Sequence, residues 1–187
     1  MGTPMSSAVR GLLRTARVAR LATIDAEGRP HLLPVCFAFD GRVFYSAVDR
    51  KPKRGRSLAR LRNIAANPDV ALLVDHYEDN WEKLQYVLVR GKARLLRPAE
   101  RQARTRALRL LRAKYPQYRA YDARLQGSLL PDDAPIIAIT PRRVTFWSAR
   151  RRSKRGLRID PPEDASTPGC VAAPSTRATD PVSARRP

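Results

Sequence analysis

The spacing of apolar residues changes period several times along the chain. Val9, Leu12, Leu13 and Ala16 recur at helical spacing and predict a short helix within residues 8–20. Residues 20–25 then read as a strand, and Ala26-Glu27-Gly28-Arg29-Pro30 supplies turn chemistry before the next apolar run. A second strand is predicted over 31–39, the Asp40-Gly41 pair marks a tight turn, and a third strand follows over 42–48. These three strands form a meander.

Leu58, Leu61, Ile64 and Ala65 share one side of a second predicted helix, which Asn67-Pro68-Asp69 ends. Strands are expected over 70–75 and 86–96, with a polar loop around Trp81 between them. Gly91 interrupts the second of these, which implies a bulge or a close backbone approach. Pro98 and Glu100 suit a helix start, and Ala103, Ala107, Leu110 and Leu111 give that helix an apolar stripe. Its seven basic residues from Arg97 to Lys114 read as a solvated surface. Residues 135–139 and 144–147 are expected as final strand pieces separated by Thr140-Pro141. The sum is about six strands with two or three helices. From Arg150 the texture turns to a basic run and then to Pro, Ala, Ser and Thr without period, so residues 1–149 are expected to form one domain and 150–187 a disordered tail.

Charge sharpens this outline. The 187 residues carry 37 Lys and Arg against 17 Asp and Glu, a formal net charge of +20. The tail holds nine basic and four acidic residues, so most of the excess lies in the domain. Such a surface gathers phosphates, polycarboxylates, nucleic acids or acidic membranes without choosing among them. Two cysteines, Cys36 and Cys170, make neither a disulfide framework nor a metal-ligand spacing, and His31 and His76 have no acid cluster for a metal. No apolar run approaches the roughly 20 residues that span a bilayer. The expectation is therefore a cytoplasmic protein with no metal and no membrane association. The Arg-rich, acid-free stretch 8–20 imitates an organelle transit peptide, but its apolar face is better explained by packing on the domain.

Arg20-Leu21-Ala22-Thr23, Gly28-Arg29-Pro30-His31, Pro34-Val35, Phe37, Asp40-Gly41, Leu61-Arg62-Asn63-Ile64, Asn67-Pro68 and Val70 follow one another in an order that resembles the pyridoxamine 5'-phosphate oxidase-like superfamily. Asp75-His76-Tyr77, Trp81, Arg90-Gly91-Lys92-Ala93-Arg94, the run Pro135 to Ile139 and Trp147-Ser148-Ala149 look like its branch that uses the deazaflavin coenzyme F420. The resemblance covers residues 8–149 and leaves the tail outside. It implies a mainly β, α+β fold, a six-stranded antiparallel split β-barrel of the FMN-binding type with peripheral helices. It also implies a homodimer with two cofactor sites, each built from both subunits.

In this family basic residues after the third strand hold the cofactor phosphate, which here designates Arg50, Lys51, Lys53 and Arg54, and beyond them Arg60. Adjacent cations around a φ-fixing Pro52 suit that task, although relatives often carry a tighter Ser-Arg-Lys run there. The ring would lie against His31, Leu33, Pro34 and Val35 and against Ser46 and Ala47, with Tyr86 and Trp147 as aromatic contacts and Trp81 as a further candidate. No catalytic acid or base is designated, His31 included. The implied function is F420-dependent hydride transfer to a small unsaturated substrate. An FMN-dependent oxidase or reductase, or a flavin or haem binder, is the alternative on the same fold, with FMN the alternative cofactor. A basic nucleic-acid-binding protein is a second alternative, although no specific nucleic-acid signature is present.

Overall fold

The structure is a computed structural model in which residues 5–50, 58–124 and 127–150 are described. Helix α1 (Ser7–Thr15) opens it. The Ser6 hydroxyl accepts from the Val9 amide at 3.3 Å as its N-cap, and Val9, Leu12 and Leu13 are buried. Strands β1 (Ala19–Ile24) and β2 (Pro30–Val35) form the expected hairpin. The second predicted strand does not run through to Phe39. It breaks at Cys36-Phe37, and its remainder is a separate two-residue strand, β3 (Ala38–Phe39).

Gly41, at φ 99°, turns the chain from β3 into β4 (Phe44–Ala47). Only a residue without Cβ adopts that backbone freely. The Asp40 carboxylate locks the turn by accepting from the Arg42 and Val43 amides at 2.8 and 2.7 Å. Helix α2 (Ala59–Ala66), strands β5 (Asp69–His76) and β6 (Gln85–Leu95), and helix α3 (Arg101–Lys114) follow. A two-residue pair, β7 (Tyr121–Asp122) with β8 (Gly127–Ser128), precedes the long β9 (Ile136–Ser148).

All ladders are antiparallel, and the main sheet has the order β2-β1-β5-β6-β9-β4-β3. Its two edges, β2 and β3, are consecutive in the chain with only Cys36 and Phe37 between them. Since a chain spans at most about 3.6 Å per residue, the edges lie within roughly 11 Å of each other, and the sheet has to curl into a half-barrel. The expected α+β split barrel is thus observed, with seven strands in the sheet because one predicted strand is divided between its two edges.

The last two predicted strand pieces are instead continuous. Pro141 sits in the β6–β9 ladder opposite Gly91, where the register jumps from Arg90↔Arg143 to Gly91↔Pro141. The extra residue at this bulge leaves room for an imino acid that cannot donate to a ladder. Gly91 makes the close approach anticipated for it: a Cβ there would stand 2.4 Å from the Thr140 carbonyl oxygen.

Two apolar clusters result. One fills the barrel with Leu21, Phe37, Phe44, Leu72, Val87 and Ile137, closed at one end by α1. The other lies under α3, where Ala107, Leu108 and Leu111 meet Tyr45, Ile136 and Ala138. Strand β4 is buried at all four positions because it feeds both. Within α3 the deepest residue beside Ala107 and Leu111 is Leu108 rather than Leu110. In α2, Asn63 is buried and Ala65 is exposed, because the Asn63 side-chain amide donates to Thr23 Oγ1 at 3.0 Å and turns that face inward. Among the described residues no helix is long and apolar enough to cross a membrane.

Candidate cofactor site

Strand β4 ends at Ala47, and the chain beyond it is pinned by two backbone bonds. The Val48 amide donates to the Pro135 carbonyl and the Arg50 amide to the Leu129 carbonyl, both at 2.9 Å. Lys51, Lys53 and Arg54, the centre of the expected phosphate cradle, lie outside the described residues. The chain returns at Leu58, and Arg60 stands in the first turn of α2.

Arg60 is half-buried, and its Nε is buried without a hydrogen-bond partner among the described residues. Burial pushes its pKa down, and the nearby charge of Asp49 and the Tyr118 hydroxyl push it back up. A guanidinium stays charged through such a shift, so the donor remains available. Tyr118, from the one-turn helix Pro116–Tyr118, is itself buried, and its hydroxyl pKa rises through burial and then through its hydrogen bond with Cys36. Cys36 directly follows β2. Continuing the Ala38↔Tyr45 register brings it abreast of Ala47. The ends of β2 and β4, the start of α2 and the turn after α3 therefore meet around one cation.

Of the residues expected along the ring, His31, Leu33 and Val35 face the barrel side of β2, opposite Thr23, Leu21 and Ala19. His31 Nδ1 is buried without a partner among the described residues, and the His31 carbonyl accepts from Thr23 Oγ1 at 3.4 Å. Pro34 is exposed on the other face, as the two-residue pleat requires, so it does not join those three. Ser46 is only 2% exposed and Ala47 is buried, so their side chains are covered within one subunit.

Tyr86 and Trp147 are cross-strand partners on β6 and β9, and their rings stack at 5.7 Å with planes 18° apart. Trp147 is 39% exposed, and Tyr77 and Trp81 are exposed as well. This pair does not reach the Arg60 cluster in one chain. Ala47 is paired with Ile136, eleven residues before Trp147 on β9, or about 36 Å of strand before curvature.

The same outer face sets apolar positions among basic ones, with Arg90 opposite Ala71. Leu32 is 64% exposed and stands beside Ala22, which stands beside Ala71; Leu73 and Leu88 continue it. Arg20 stands between Pro34 and Leu73 within that face and pairs with Asp75. Among the described residues no group of three or more His, Cys, Asp or Glu could hold a metal.

Residue reading along the sequence missed Cys36, Asp49 and Tyr118. The only signal for them is position: Cys36 lies inside the predicted second strand, Asp49 directly follows the predicted third, and Tyr118 comes four residues after α3.

A single antiparallel sheet curled so that its two edges meet defines the split-barrel class, and here a half-buried arginine stands at the joint between those edges. The chain belongs to the Pyridoxamine 5'-phosphate oxidase family, whose profile it matches over residues 5–148. It is similar to a 5a,11a-dehydrotetracycline/5a,11a-dehydrooxytetracycline reductase of Streptomyces rimosus, 35% identical over 96 residues. That match takes in 49% of this chain and 64% of the reductase, so it spans less than two thirds of the relative.

Among solved structures, a conserved hypothetical protein of Mycobacterium tuberculosis is 21% identical at a TM-score of 0.59, with 84% of this chain and 94% of that one covered. An FAD-binding protein of Mesorhizobium loti is 19% identical at a TM-score of 0.54, with 76% and 94% covered. Both likenesses establish the fold.

Proposed function

We propose that the protein is a flavin-type oxidoreductase that uses the deazaflavin coenzyme F420, works as a homodimer, and reduces a small unsaturated substrate. The observation that carries the reading is Arg60, a charged side chain at a helix start with a buried donor that nothing in the described chain occupies. A phosphate oxygen satisfies such a donor, and the adjacent helix start favours negative charge. The family membership and the reductase relative support the redox class.

In this reading Arg60 and Arg50 hold the phosphate together with Lys51, Lys53 and Arg54, which follow Arg50 in the sequence. The β2 edge from His31 through Leu33 and Pro34 to Val35, offered through its backbone because Val35 is packed in the core, shapes the slot for the ring with the backbone of Ser46 and Ala47. A second subunit seated on the outer face around Leu32, Ala71 and Leu73 brings its own Tyr86–Trp147 pair to that slot. This resolves why the expected site residues fall in two places in one chain. When bound, the deazaflavin supplies a ring carbon that exchanges a hydride with the substrate. The protein's part is to fix distance and orientation, to exclude water, and, through Tyr86 or solvent, to deliver a proton.

The basic domain suits a cofactor with a phosphate and a polycarboxylate tail better than FMN, which has the phosphate alone. Each exposed contact to such a tail is worth less than about 1 kcal/mol, but the summed field steers it. Localisation in the cytoplasm fits a soluble cofactor of this kind.

The test is a side-by-side titration of F420 and FMN against the purified full-length protein at moderate salt. The expected result is tighter binding of F420 and, in Arg60→Ala, a loss of about tenfold or more for both, the worth of one charge-assisted phosphate contact. Tighter FMN binding overturns the cofactor assignment and leaves the fold-level reading. Binding of haem with neither flavin overturns the oxidoreductase reading. If F420 binds but no hydride reaches a panel of enones, nitroaromatics and tetrapyrroles, the protein is a carrier.

A further inference from the structure

A cavity of about 520 Å³ lies between α1, α3 and the β3–β4 turn. Its floor is apolar: Leu13, Phe39 and Leu110. Its rim carries four cations, Arg10, Arg14 and Arg17 from α1 and the residues just after it and Lys114 from the end of α3, and no lining residue is acidic.

Three of these cations face backbone oxygen or aromatic rings, and among the described residues none of the four pairs with a carboxylate. Arg10 donates to the Met5 carbonyl, Arg17 to the Lys114 carbonyl at 2.6 Å, and Lys114 Nζ to the Leu13 carbonyl at 2.8 Å. Lys114 Nζ also stands 3.6 Å from the centroid of the Phe37 ring, and Arg17 stacks 5.1 Å over Tyr115. The nearest carboxylate along the chain, Asp40, is committed to its own turn, to the Tyr45 hydroxyl at 3.0 Å and to Arg106 at 3.5 Å.

Like charges crowded over an apolar floor are an arrangement that costs free energy until an anion joins it. The cost registers at Lys114, whose pKa burial, and then the Arg17 charge, pushes down to about 8. We infer that this groove binds a small organic anion with an apolar body and a single carboxylate, the acid group between Arg14, Arg17 and Lys114 and the body on Leu13, Phe39 and Leu110. The size agrees, since pockets for small molecules run from about 300 to 1,000 Å³. A polyanion would match the rim and leave the floor without a purpose. A neutral apolar ligand would do the reverse.

The test uses the full-length protein and calorimetric titration with laurate, acetate and inorganic phosphate. Laurate is expected to bind about tenfold or more tightly than either small anion, because only it covers the apolar floor. Arg14→Glu, at an exposed position of α1 that leaves the fold intact, is expected to weaken laurate about tenfold through charge reversal, while F420 binding stays as in the parent.

The pH profile adds a readout that packing alone would not move. Laurate affinity should fall as pH rises beyond about 8, because Lys114 then gives up its proton. Of its other titratable neighbours, Tyr115 is pushed up to about 12 by burial and Arg17 stays charged, while the Cys36 thiol also interacts with Lys114, so the profile is repeated in Cys36→Ala, which is expected to keep it. Lys114→Met should flatten this profile. Equal binding of phosphate and laurate, tighter binding of an oligonucleotide, or laurate binding untouched by Arg14→Glu overturns the inference.

Discussion

Replacing Gly91 by alanine adds one methyl group at the most crowded point of the sheet. Its ideal position lies 2.4 Å from the Thr140 carbonyl oxygen and 3.1 Å from the Pro141 Cα, where ordinary contact begins near 3.4 Å. Relief requires a shift of about 1 Å, and both neighbours are backbone. They belong to β9, which is held by β6 on one side and by β4 on the other, with Ile139 paired to Ala93 and to Phe44. Overpacking of this kind costs about 1–3 kcal/mol, and one loosened ladder bond adds about 1, so we expect a loss of about 3 kcal/mol. For a chain of this size that lowers Tm by roughly 6–12 °C.

The same substitution at Gly11 serves as an internal control. Gly11 lies within α1 and a Cβ there meets nothing within 4 Å, so alanine should stabilise the protein by about 0.5–1 kcal/mol through helix propensity. The assay is urea unfolding of both variants at one fixed protein concentration, since an associating protein shifts with concentration. If Gly91→Ala unfolds within about 0.5 kcal/mol of the parent with the same m-value, the bulge geometry argued here is wrong.

Three further outcomes are expected. Tyr115→Phe removes a hydroxyl that accepts from the Phe37 amide at 3.0 Å and faces the Arg17 and Phe37 carbonyls at 2.9 and 3.0 Å. A buried amide left without its partner at the joint between the sheet edges costs about 1–3 kcal/mol, measurable by urea unfolding; a neutral effect would show that water replaces the hydroxyl. Glu100 accepts from Arg94 and from the Arg97 amide, which pull its pKa from 4.5 down to about 2. A carboxylate with a lowered native pKa stabilises above its unfolded value and loses that contribution as pH falls, so the acid limb between pH 4.5 and 2 should be shallower in Glu100→Gln in pH-dependent melting. Leu32→Lys places a charge beside Ala22 on the outer face; if the proposed homodimer uses this face, sedimentation velocity should show weaker association than in the parent, and association equal to the parent's would refute that placement.

Much of the architecture was legible in local pattern. The hairpin of β1 and β2, the Asp40-Gly41 turn and the tight approach at Gly91 follow from residues that only suit those geometries. The break of the second predicted strand at Cys36-Phe37 was hidden, because an apolar run looks the same whether it stays in one ladder or passes between two. The continuity of β9 through Pro141 was equally hidden, since the bulge that accommodates it is supplied by its pairing with β6.

The candidate site divides along the same line. The charge of Arg50 and Arg60 and the aromatic character of Tyr86 and Trp147 can be read from composition and order. That Asp49, Tyr118 and Cys36 gather around Arg60, and that Tyr86 and Trp147 stand a strand's length away, cannot. The sequence by itself determined the three helices, the β1–β2 hairpin and the strands β5 and β6, because periodicity and turn residues act over a few positions. Only the tertiary structure decided which strand ends meet, which lysine is forced beside an arginine over an apolar floor, and which arginine is left with a buried, unanswered donor. Those outcomes depend on how the sheet closes, and closure joins residues far apart in the chain.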